Sequence, residues 1–575
     1  MKKLLVFLKN YKLQSVLAPV FKMLEACFEL IVPLVVASII DDGIKGANTS
    51  LVLSRTGVLV LLAVVGMIAA ISAQFFAAKA ATGFATELRH SLFEKIQSFS
   101  FTELDKIGVS TLITRLTTDV NQAQNTVNMT LRLLLRSPFI VAGAAFMALM
   151  IDFRASLIFL LVIVLLFAVV AVIMKLTVPM YKKVQSTLDG VTLMTRDNIK
   201  GARVIRAFTG EDEEYEDFTK QNNLLAHFQR VAGRFSALMN PLTFVIVNLG
   251  IIALIRYGAI RVNGGNMSQG TVVALYNYMS QILVELIKFA NLVITITKGF
   301  ASGGRISKIF EMENTLQKAE NNVPSNTSKV KFDGVSLTYS GAGEESLKNI
   351  SFTAEKGEVI GVIGSTGSGK SSLVGLIPHY YDCTEGTVSV DGIDVKAYEP
   401  DELRSKIGFV MQKAVLFSGT VRENIRWGKS DATDEEINEA LKIAQIYDSV
   451  YEKDGLDTVV EQGGANFSGG QRQRLSVARA IVKKPEIIVL DDSASALDFA
   501  TEKAMREAIL SLDYKPTLFI VSQRCSSILS ADRIIVLEDG KCVGIGNNSE
   551  LLSSCEVYRE IYYSQFEREG GENEE

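Results

Sequence analysis

The sequence has little cysteine. Its 575 residues include five, namely Cys27, Cys383, Cys525, Cys542 and Cys555, and no two of them form a CxxC pair. This odd and scattered set argues against a disulfide framework and against a zinc site. Four of the five lie in the C-terminal part of the chain, which we place in the reducing cytosol, where disulfides are rare.

The chain also lacks a strong charge of either sign. Its formal net charge is −4, and no tract of basic residues is present. Proteins that grip the phosphate backbone of nucleic acids carry basic patches. We therefore expect no nucleic acid among the partners.

The start of the sequence does not have the pattern expected of a cleavable signal peptide. The start of the chain, MKKLLVFLKNYKLQ, is basic but has no long apolar core and no small-residue cleavage site. We interpret residues 1–14 as an amphipathic helix on the inner membrane surface.

Long apolar runs are abundant, but only in the first 300 residues. Hydrophobic residues make up 48% of the chain and charged residues 21%, and 575 residues are too many for one domain. Six runs reach the roughly 20 residues that a membrane-spanning helix needs. They lie near 15–40, 56–82, 126–150, 155–178, 236–260 and 269–297.

The gaps between these runs predict their orientation. The gaps after the first, third and fifth runs are short, whereas those after the second and fourth are long, helical in character and rich in Lys and Arg. Positive residues stay inside, so the long gaps and both termini are expected in the cytoplasm. The domain 15–310 is then a membrane domain with long cytoplasmic helices, and we expect their tips near 110–119 and 206–218 to carry motion.

Ionisable residues occur inside two of the predicted spans. Lys22, Glu25 and Glu29 share one helix face, as do Glu285 and Lys288. A charge in hydrocarbon costs at least about 2.5–3.5 kcal/mol and normally faces a cavity or a partner. Either Lys22 reaches the interface and the other groups pair between helices, or Glu25, Glu29 and Glu285 line a polar cavity that favours cationic cargo.

The C-terminal part alternates strand-like and helix-like segments. The polar stretch 311–328 is interpreted as a linker, and residues 329–575 as an α/β domain with a largely parallel sheet. The strand-like runs are 330–332, 359–363, 407–410, 487–490, 517–521 and 534–537.

A P-loop pattern, GxxxxGK[ST], follows the second of these strands and precedes a helix-like segment. Glycines let backbone N–H groups turn toward phosphates, and the helix N-terminus adds a positive dipole. Lys370 would neutralise the β- and γ-phosphates, and Ser371 would offer its hydroxyl to Mg²⁺. The predicted phosphate-binding set is Gly364, Ser365, Thr366, Gly367, Ser368, Gly369, Lys370, Ser371 and Ser372.

A second phosphate-binding element follows about one hundred residues later. The sequence NFSGGQ, with Ser468, Gly469, Gly470 and Gln471, leads into a helix-like segment. The next apolar strand ends in Asp491, an acid that can hold Mg²⁺ through water.

With these motifs the chain resembles ABC transporters of the exporter type over essentially its whole length. FSGGQ stands at the place of the family signature LSGGQ. Tyr339 matches the aromatic that stacks on adenine, Gln412 the Q-loop glutamine that reaches magnesium, and Asp498 the D-loop. The resemblance implies ATP and Mg²⁺ as cofactors. It also implies two chains in which each ATP lies between one P-loop and the opposite signature.

Two departures from the family pattern affect one site. Asp492 stands where the family usually has a glutamate as general base, and Gln523 where it has the switch histidine. Aspartate is one methylene shorter, and a misplacement of about 1 Å can cost roughly 10²-fold in rate. Glutamine cannot carry the positive charge of histidine or exchange its proton.

These departures resemble one half of a heterodimeric exporter. This chain's P-loop site would then be degenerate, and its signature would complete the active site of a different chain. A homodimer that tolerates both replacements is the alternative.

The expected fold is a six-helix membrane domain followed by a soluble P-loop ATPase domain of the ABC type. The expected function is export of amphipathic small molecules across the cell membrane, with the ATPase domain and both termini in the cytoplasm. A peptide or lipid exporter, or an ATP-gated regulatory or channel-like subunit, remain alternatives.

Overall fold

The computed structural model describes residues 2–313, 316 and 328–566. The chain forms two compact units: Met1–Gln97 with Ser110–Met312, and Ser98–Val109 with Glu313–Glu575. The predicted linker 311–328 falls largely outside the described residues. The short segment Ser98–Val109 thus belongs to the unit of the C-terminal domain, although it lies within the predicted membrane domain.

The first unit is entirely helical. Six helices of the described residues are long and apolar enough to cross a membrane, and they contain all six predicted runs: Lys3–Ile44, Thr49–Gln97, Val109–Ile151, Phe153–Ala207, Glu211–Asn263 and Gln269–Glu311. Their α-helical parts are α1 Lys12–Ser38, α2 Thr49–Gln97, α4 Val109–Thr114, α5 Val120–Leu133, α6 Arg136–Ile151, α7 Phe153–Ala207, α8 Glu211–Ala237, α9 Met239–Asn263 and α10 Gln269–Glu311, and the short α3, Phe101–Ile107, lies between α2 and α4. A 3₁₀ helix, Lys2–Tyr11, precedes α1, and π-helical turns occupy Ile39–Ile44 and Arg115–Asp119.

Two of these helices are much longer than a bilayer is thick. Helix α7 has 55 residues and α2 has 49. At 1.5 Å per residue they extend about 80 and 70 Å, against a hydrocarbon core of about 30 Å. Both helices are therefore longer than one membrane crossing requires.

The first predicted tip, at 110–119, is wrong by about ten residues. Residues 109–114 are helical, and the chain turns before them, in the segment Ser98–Gly108 that contains α3. The reason is local. Ser100 caps α3 and its backbone N–H donates to the Glu103 carboxylate at 3.0 Å, while Gly108 ends α3 with φ 78°. The second tip, between the ends of α7 and α8 at Ala207 and Glu211, agrees with the prediction.

Small residues let the membrane helices approach closely. Helix α2 buries an alanine nearly every turn, among them Ala69, Ala73 and Ala77. A Cβ atom on Gly83 would lie 2.1 Å from the Tyr11 ring, so only glycine fits beneath that ring. Close backbone approach is how helices associate where no hydrophobic effect drives them together.

The second unit is built on three sheets. The largest has the order β12-β11-β3-β10-β9-β6, parallel except for the edge strand β12, and a four-stranded antiparallel sheet has the order β2-β1-β4-β5. The strands are β1 Val330–Leu337, β2 Leu347–Ala354, β3 Val359–Gly364, β4 Glu385–Val390, β5 Ile393–Asp394, β6 Ile407–Val410, β7 Gly419–Thr420, β8 Val459–Val460, β9 Ile487–Asp491, β10 Thr517–Val521, β11 Arg533–Glu538 and β12 Lys541–Gly546. The helices are α11 Lys370–Gly375, α12 Pro400–Ser405, α13 Val421–Arg426, α14 Asp434–Ile443, α15 Tyr447–Tyr451, α16 Gly469–Ile481, α17 Phe499–Leu510, α18 Asn548–Ser554 and α19 Glu556–Tyr563.

All six predicted strand runs are strands, and the parallel sheet is confirmed. Strands β3, β9 and β10 are neighbours, so their carboxyl ends meet at one edge. The P-loop follows β3, Asp491 ends β9, and Gln523 follows β10. Ligands of open parallel sheets bind at this edge.

Candidate functional site

A cavity of about 220 Å³ lies at the carboxyl ends of these three strands. It brings together ten of the residues singled out from the sequence, with Ser346 and Val521 in addition. Its lining residues are Ser346, Thr366, Gly367, Gly369, Lys370, Ser371, Ser372, Gln412, Asp491, Asp492, Val521 and Gln523.

The backbone conformation of the P-loop requires glycine just before α11. Gly369 precedes α11 with φ 95°, and a Cβ atom there would lie 2.6 Å from the carbonyl oxygen of Ser346. The Lys370 ammonium donates to the carbonyl oxygens of Gly364 and Ser365 at 2.9 and 2.6 Å. Burial lowers the pKa of Lys370, while Asp492 and Asp491 oppose that shift. The lysine is thus held inside the loop, near the start of α11.

Ser371 and Asp491 form an oxygen pair beside the lysine. The Ser371 hydroxyl donates to Asp491 Oδ1 at 2.9 Å, and burial raises the pKa of the Asp491 carboxyl. A hydroxyl and a carboxylate are the hard oxygen ligands that Mg²⁺ takes, usually one or two per site together with substrate phosphates. The described residues contain no group of three or more His, Cys, Asp or Glu side chains that could hold a metal alone. The pair fits a magnesium ion shared with a nucleotide.

The two departures from the family pattern both line this cavity. Gln412 Nε2 donates to Asp492 Oδ2 at 3.2 Å, so the short carboxylate is tied to the Q-loop amide. Asp492 has φ 47°, a left-handed conformation that is uncommon for residues other than glycine. Gln523 lines the same cavity from the loop after β10.

Several predicted residues lie beside the cavity but do not line it. They include Tyr339, Gly364, Ser365 and Ser368. The Tyr339 hydroxyl donates to Ser372 Oγ at 2.9 Å, and burial raises the pKa of Tyr339. The aromatic residue is therefore fixed next to the P-loop.

A chain of contacts leads from Tyr339 to α3 and was not predicted from the sequence. The rings of Tyr339 and Tyr381 meet edge to face at 5.0 Å, and the Tyr381 hydroxyl donates to Asp105 Oδ2 at 2.8 Å. Phe101 of α3 lies 4.4 Å from the Tyr380 ring, centroid to centroid. Asp105 and Tyr381 are 276 residues apart, so no local pattern announces the contact.

The signature residues form the start of α16 and lie away from the cavity of this chain. Ser468 caps the helix: its hydroxyl accepts from the Gln471 N–H at 3.2 Å, and its own N–H donates to Gln471 Oε1 at 3.0 Å. Asp498 caps α17 in the same way, accepting from the Thr501 N–H at 2.9 Å. Phe467, which replaces the usual leucine, is buried in the core below.

Arg136 connects the charged residues of the membrane unit, and the sequence analysis missed it. It donates to Glu285 at 2.5 Å and to Glu29 at 2.7 Å, and it approaches Glu25 at 3.7 Å. Its side chain is 7% exposed. The signal that could have found it is its own position, because an arginine inside an apolar run normally has a partner.

The membrane unit has a group of six charged residues that we call the membrane charge cluster: Lys22, Glu25, Glu29, Arg136, Glu285 and Lys288. Its positive and negative charges are equal in number. Lys22 contacts Glu25 at 2.5 Å, and Lys288 contacts Glu285 at 2.8 Å. Three cations thus face three carboxylates. Arg136 pairs with Glu29 and Glu285 of two other helices, whereas Lys22, which the first alternative placed at the interface, pairs with Glu25 in its own helix. Glu29 and Lys288 are the most exposed members, at 38% and 42%. Glu285 is 3% exposed and contacts Arg136, Ser137 and Lys288.

Comparison with known proteins agrees with this architecture. Residues 15–286 match the ABC transporter transmembrane region, and residues 347–495 match the ABC transporter family. Over 575 residues, all of both chains, the protein is 37% identical to the uncharacterized ABC transporter ATP-binding protein YfiB of Bacillus subtilis.

Two further relatives carry more specific names. The putative multidrug export ATP-binding/permease protein YgaD of Bacillus subtilis is 31% identical, with 98% of this chain and 99% of that protein covered. The ATP-dependent lipid A-core flippase of Syntrophus aciditrophicus is 31% identical, with 84% and 80% covered. A solved bacterial Atm1-family ABC exporter with ATP bound has the same fold, with a TM-score of 0.81 at 21% identity, covering 97% of this chain and 99% of that one. The chain therefore belongs to the ABC transporters of the exporter type, multi-pass membrane proteins in which a six-helix membrane domain is fused to an ATP-binding domain.

Proposed function

We propose that this chain is one half of a heterodimeric exporter that moves amphipathic small molecules out of the cell. Its own P-loop site binds ATP and turns it over slowly, and its signature completes the active site of a different chain. The observation that carries the proposal is that Asp492 and Gln523, the two residues that depart from the family pattern, line one and the same cavity.

Both residues weaken the hydrolytic step and spare the binding step. The Asp492 carboxylate is short and bonded to Gln412, so it is poorly placed to polarise a water. Gln523 offers a neutral amide where an imidazole would carry charge. Lys370, Ser371 and Asp491, which serve binding, keep the residue types that the P-loop chemistry requires.

Magnesium would be held by Ser371, Asp491 and Gln412, and it supplies positive charge next to the β- and γ-phosphates. The chain's own contribution is the Lys370 ammonium and the N-terminus of α11. Both are fixed by the folded loop, so little reorganisation is needed when ATP binds.

The signature of this chain supports the second half of the proposal. The capping box of Ser468 and Gln471 fixes the first turn of the 13-residue helix α16. Such an N-terminus offers free N–H groups and a positive dipole to an anion. Since this chain's own P-loop is elsewhere, the anion it suits is the γ-phosphate of ATP on the opposing chain.

Transmission to the membrane follows the contacts of α3. Closure of two ATP-loaded domains would shift Tyr339 and Tyr381, and Asp105 would carry that shift into the turn between α2 and α4. We place this turn, the ATPase domain and both termini in the cytoplasm, because the long connections hold the excess of Lys and Arg.

The number of relatives in a single bacterial strain favours a different partner chain. One Bacillus subtilis strain has at least four proteins that match this chain, YfiB, YgaD, YknU and YfiC. The presence of several such relatives in one strain supports a partner chain of a different sequence. The homodimer is the second candidate.

The cargo class is proposed from the names of two relatives. The multidrug name of YgaD favours amphipathic small molecules, and the flippase name of another relative favours lipid as the runner-up. The balanced membrane charge cluster gives little net preference for cations, and any such preference rests on the exposed carboxylate of Glu29. An ATP-gated regulatory or channel-like subunit is the third candidate.

The test compares ATPase rates of the lone chain, the pair with a partner that carries Glu and His at the matching positions, and variants of the pair. We expect the lone chain to be nearly inactive and the pair active. Asp492→Glu alone should rescue little, and Asp492→Glu with Gln523→His should give the lone chain measurable turnover. In the pair, Ser468→Arg in this chain should abolish activity, whereas Lys370→Ala in this chain should leave most of it. Brisk turnover by the unmodified lone chain would overturn the proposal.

A further inference from the structure

The loop after β10 carries Gln523 and is held by a residue from the far C-terminal end of the described chain. Gln565 Nε2 donates to the carbonyl oxygen of Gln523 at 2.8 Å, and Gln565 Oε1 accepts from the backbone N–H of Cys525 at 2.9 Å. The Gln565 amide is therefore hydrogen-bonded to the backbone on both sides of residue 524. We call residues 522–527 the switch loop.

Gln565 is held by neighbours that pack in the same core as Cys525 of the switch loop. It follows α19, whose Tyr558 is fully buried and donates its hydroxyl to Asn548 at 2.7 Å. Phe566, the next residue, packs partly buried against the same core. Because the anchors flank Gln565 along the chain, its amide presents a fixed donor and acceptor to the switch loop.

The opposite side of the switch loop is tied to α17 and to the segment before it. Arg524 donates to the carbonyl oxygens of Ser495 and Leu497, both at 3.4 Å. Arg506 donates to those of Ser526 and Ser527 at 3.3 and 3.0 Å. The loop is thus hydrogen-bonded on both sides, and Cys525 is buried in the same core as Tyr558.

We propose that Gln565 is a positioning residue of the ATP site, which holds the backbone of Gln523 so that its side chain faces the nucleotide cavity. Through it, the C-terminal segment sets how well this site distinguishes ATP from ADP, because the switch residue is the group that meets the γ-phosphate. The inference rests on the proposed ATP site of this chain, and it holds whether the partner is a like or an unlike chain.

The isosteric variant Gln565→Glu separates the two bonds. A carboxylate still accepts from the Cys525 N–H, but it cannot donate to the Gln523 carbonyl oxygen and repels it. Gln565→Ala removes both bonds. The hydroxyl of the neighbouring Ser564 donates to the carbonyl oxygen of Ile561 in the preceding helix, at 2.7 Å, so Ser564→Ala is the matched control.

The experiment uses the full chain in its working pair, with the P-loop lysine of the partner replaced so that only this site binds nucleotide. Hydrogen exchange of the segment 517–528 is measured with ATP and magnesium, together with the ratio of ATP to ADP affinity. Loss of one net hydrogen bond shifts such equilibria about fivefold.

For Gln565→Ala we expect about fivefold faster exchange in the switch loop and about a fivefold loss of preference for ATP over ADP, with ADP affinity unchanged. Gln565→Glu should lose the preference but keep the exchange protection of Cys525, and Ser564→Ala should change neither. Unchanged exchange and unchanged preference in Gln565→Ala would overturn the inference, as would equal loss of ATP and ADP affinity. None of these measurements depends on hydrolysis, so a failure of the asymmetric-site proposal would appear in the ATPase rates and not here.

Discussion

The nucleotide cavity and the membrane charge cluster are two groups of buried charges that the chain uses in opposite ways. In the cavity, Lys370 is held by backbone carbonyl oxygens and Asp491 by one hydroxyl, so both keep bonding capacity for a ligand. In the membrane unit, the Arg136 guanidinium is already paired with the carboxylates around it. The first group is arranged to receive charge, and the second is already neutral.

The difference shows what each group needs in order to be stable. Water can solvate a charge in a cavity that is open to solvent until nucleotide binds, whereas a charge in hydrocarbon must find its partner within the fold. We therefore expect substitutions in the membrane cluster to act on stability and substitutions in the cavity to act on binding.

The largest effect is expected for Arg136→Met. It leaves Glu285, which is 3% exposed, without its guanidinium. Breaking a buried pair by removing one partner costs about 3–5 kcal/mol. The loss of stability is measured by thermal unfolding of the purified protein, with size-exclusion chromatography as the readout.

The paired variant Arg136→Met with Glu285→Met sharpens this test, because it removes both charges and should recover most of the stability. Lys288→Met should cost less, since Lys288 is 42% exposed. If Arg136→Met were as stable as the unmodified protein, the neutral-cluster account would be wrong.

A smaller effect, confined to binding, is expected for Lys370→Met. Charge-assisted hydrogen bonds contribute about 1.5–3 kcal/mol, so ATP affinity at this site should fall about 10–100-fold. Titration with a fluorescent ATP analogue measures it, with Lys356→Met on the exposed surface as the control. A loss of stability as large as that of Arg136→Met would break the comparison between the two groups.

The smallest effect is expected at the contact between α3 and the aromatic pair. Tyr381→Phe keeps the ring against Tyr339 and removes the hydroxyl that donates to Asp105. A double-mutant cycle with Asp105→Ala should give a coupling free energy of about 0.5–1.5 kcal/mol in thermal unfolding. Additive single effects would mean that this bond does not connect α3 to the nucleotide domain.

The nucleotide cavity and the membrane charge cluster also differ in how well they could be predicted from the sequence. The P-loop, the signature, Asp491 and Asp492 are local patterns at strand and helix ends, and a parallel sheet brings strand ends to one edge. Ten of the residues that line the cavity were therefore predictable from the sequence, whereas Ser346 and Val521 were not. The contacts of Arg136 with Glu29 and Glu285 span 107 and 149 residues, and only packing of three helices brings them together.

The turn at α3 was missed for a related reason. The capping box of α3 and Gly108 can be recognised in the sequence. The tip was nevertheless expected about ten residues too late, because it was placed next to the apolar run that follows α3. The contact of Gln565 with the switch loop, across 40 and 42 residues, has no local signal either.

The most direct test of the central claim is the identity of the nucleotide on each chain after turnover. The pair is supplied with radiolabelled azido-ATP, allowed many cycles of hydrolysis, crosslinked by light, and separated into its two chains. We predict that the P-loop site of this chain still holds mainly triphosphate while the partner's site holds diphosphate. Equal diphosphate on both chains would contradict the account.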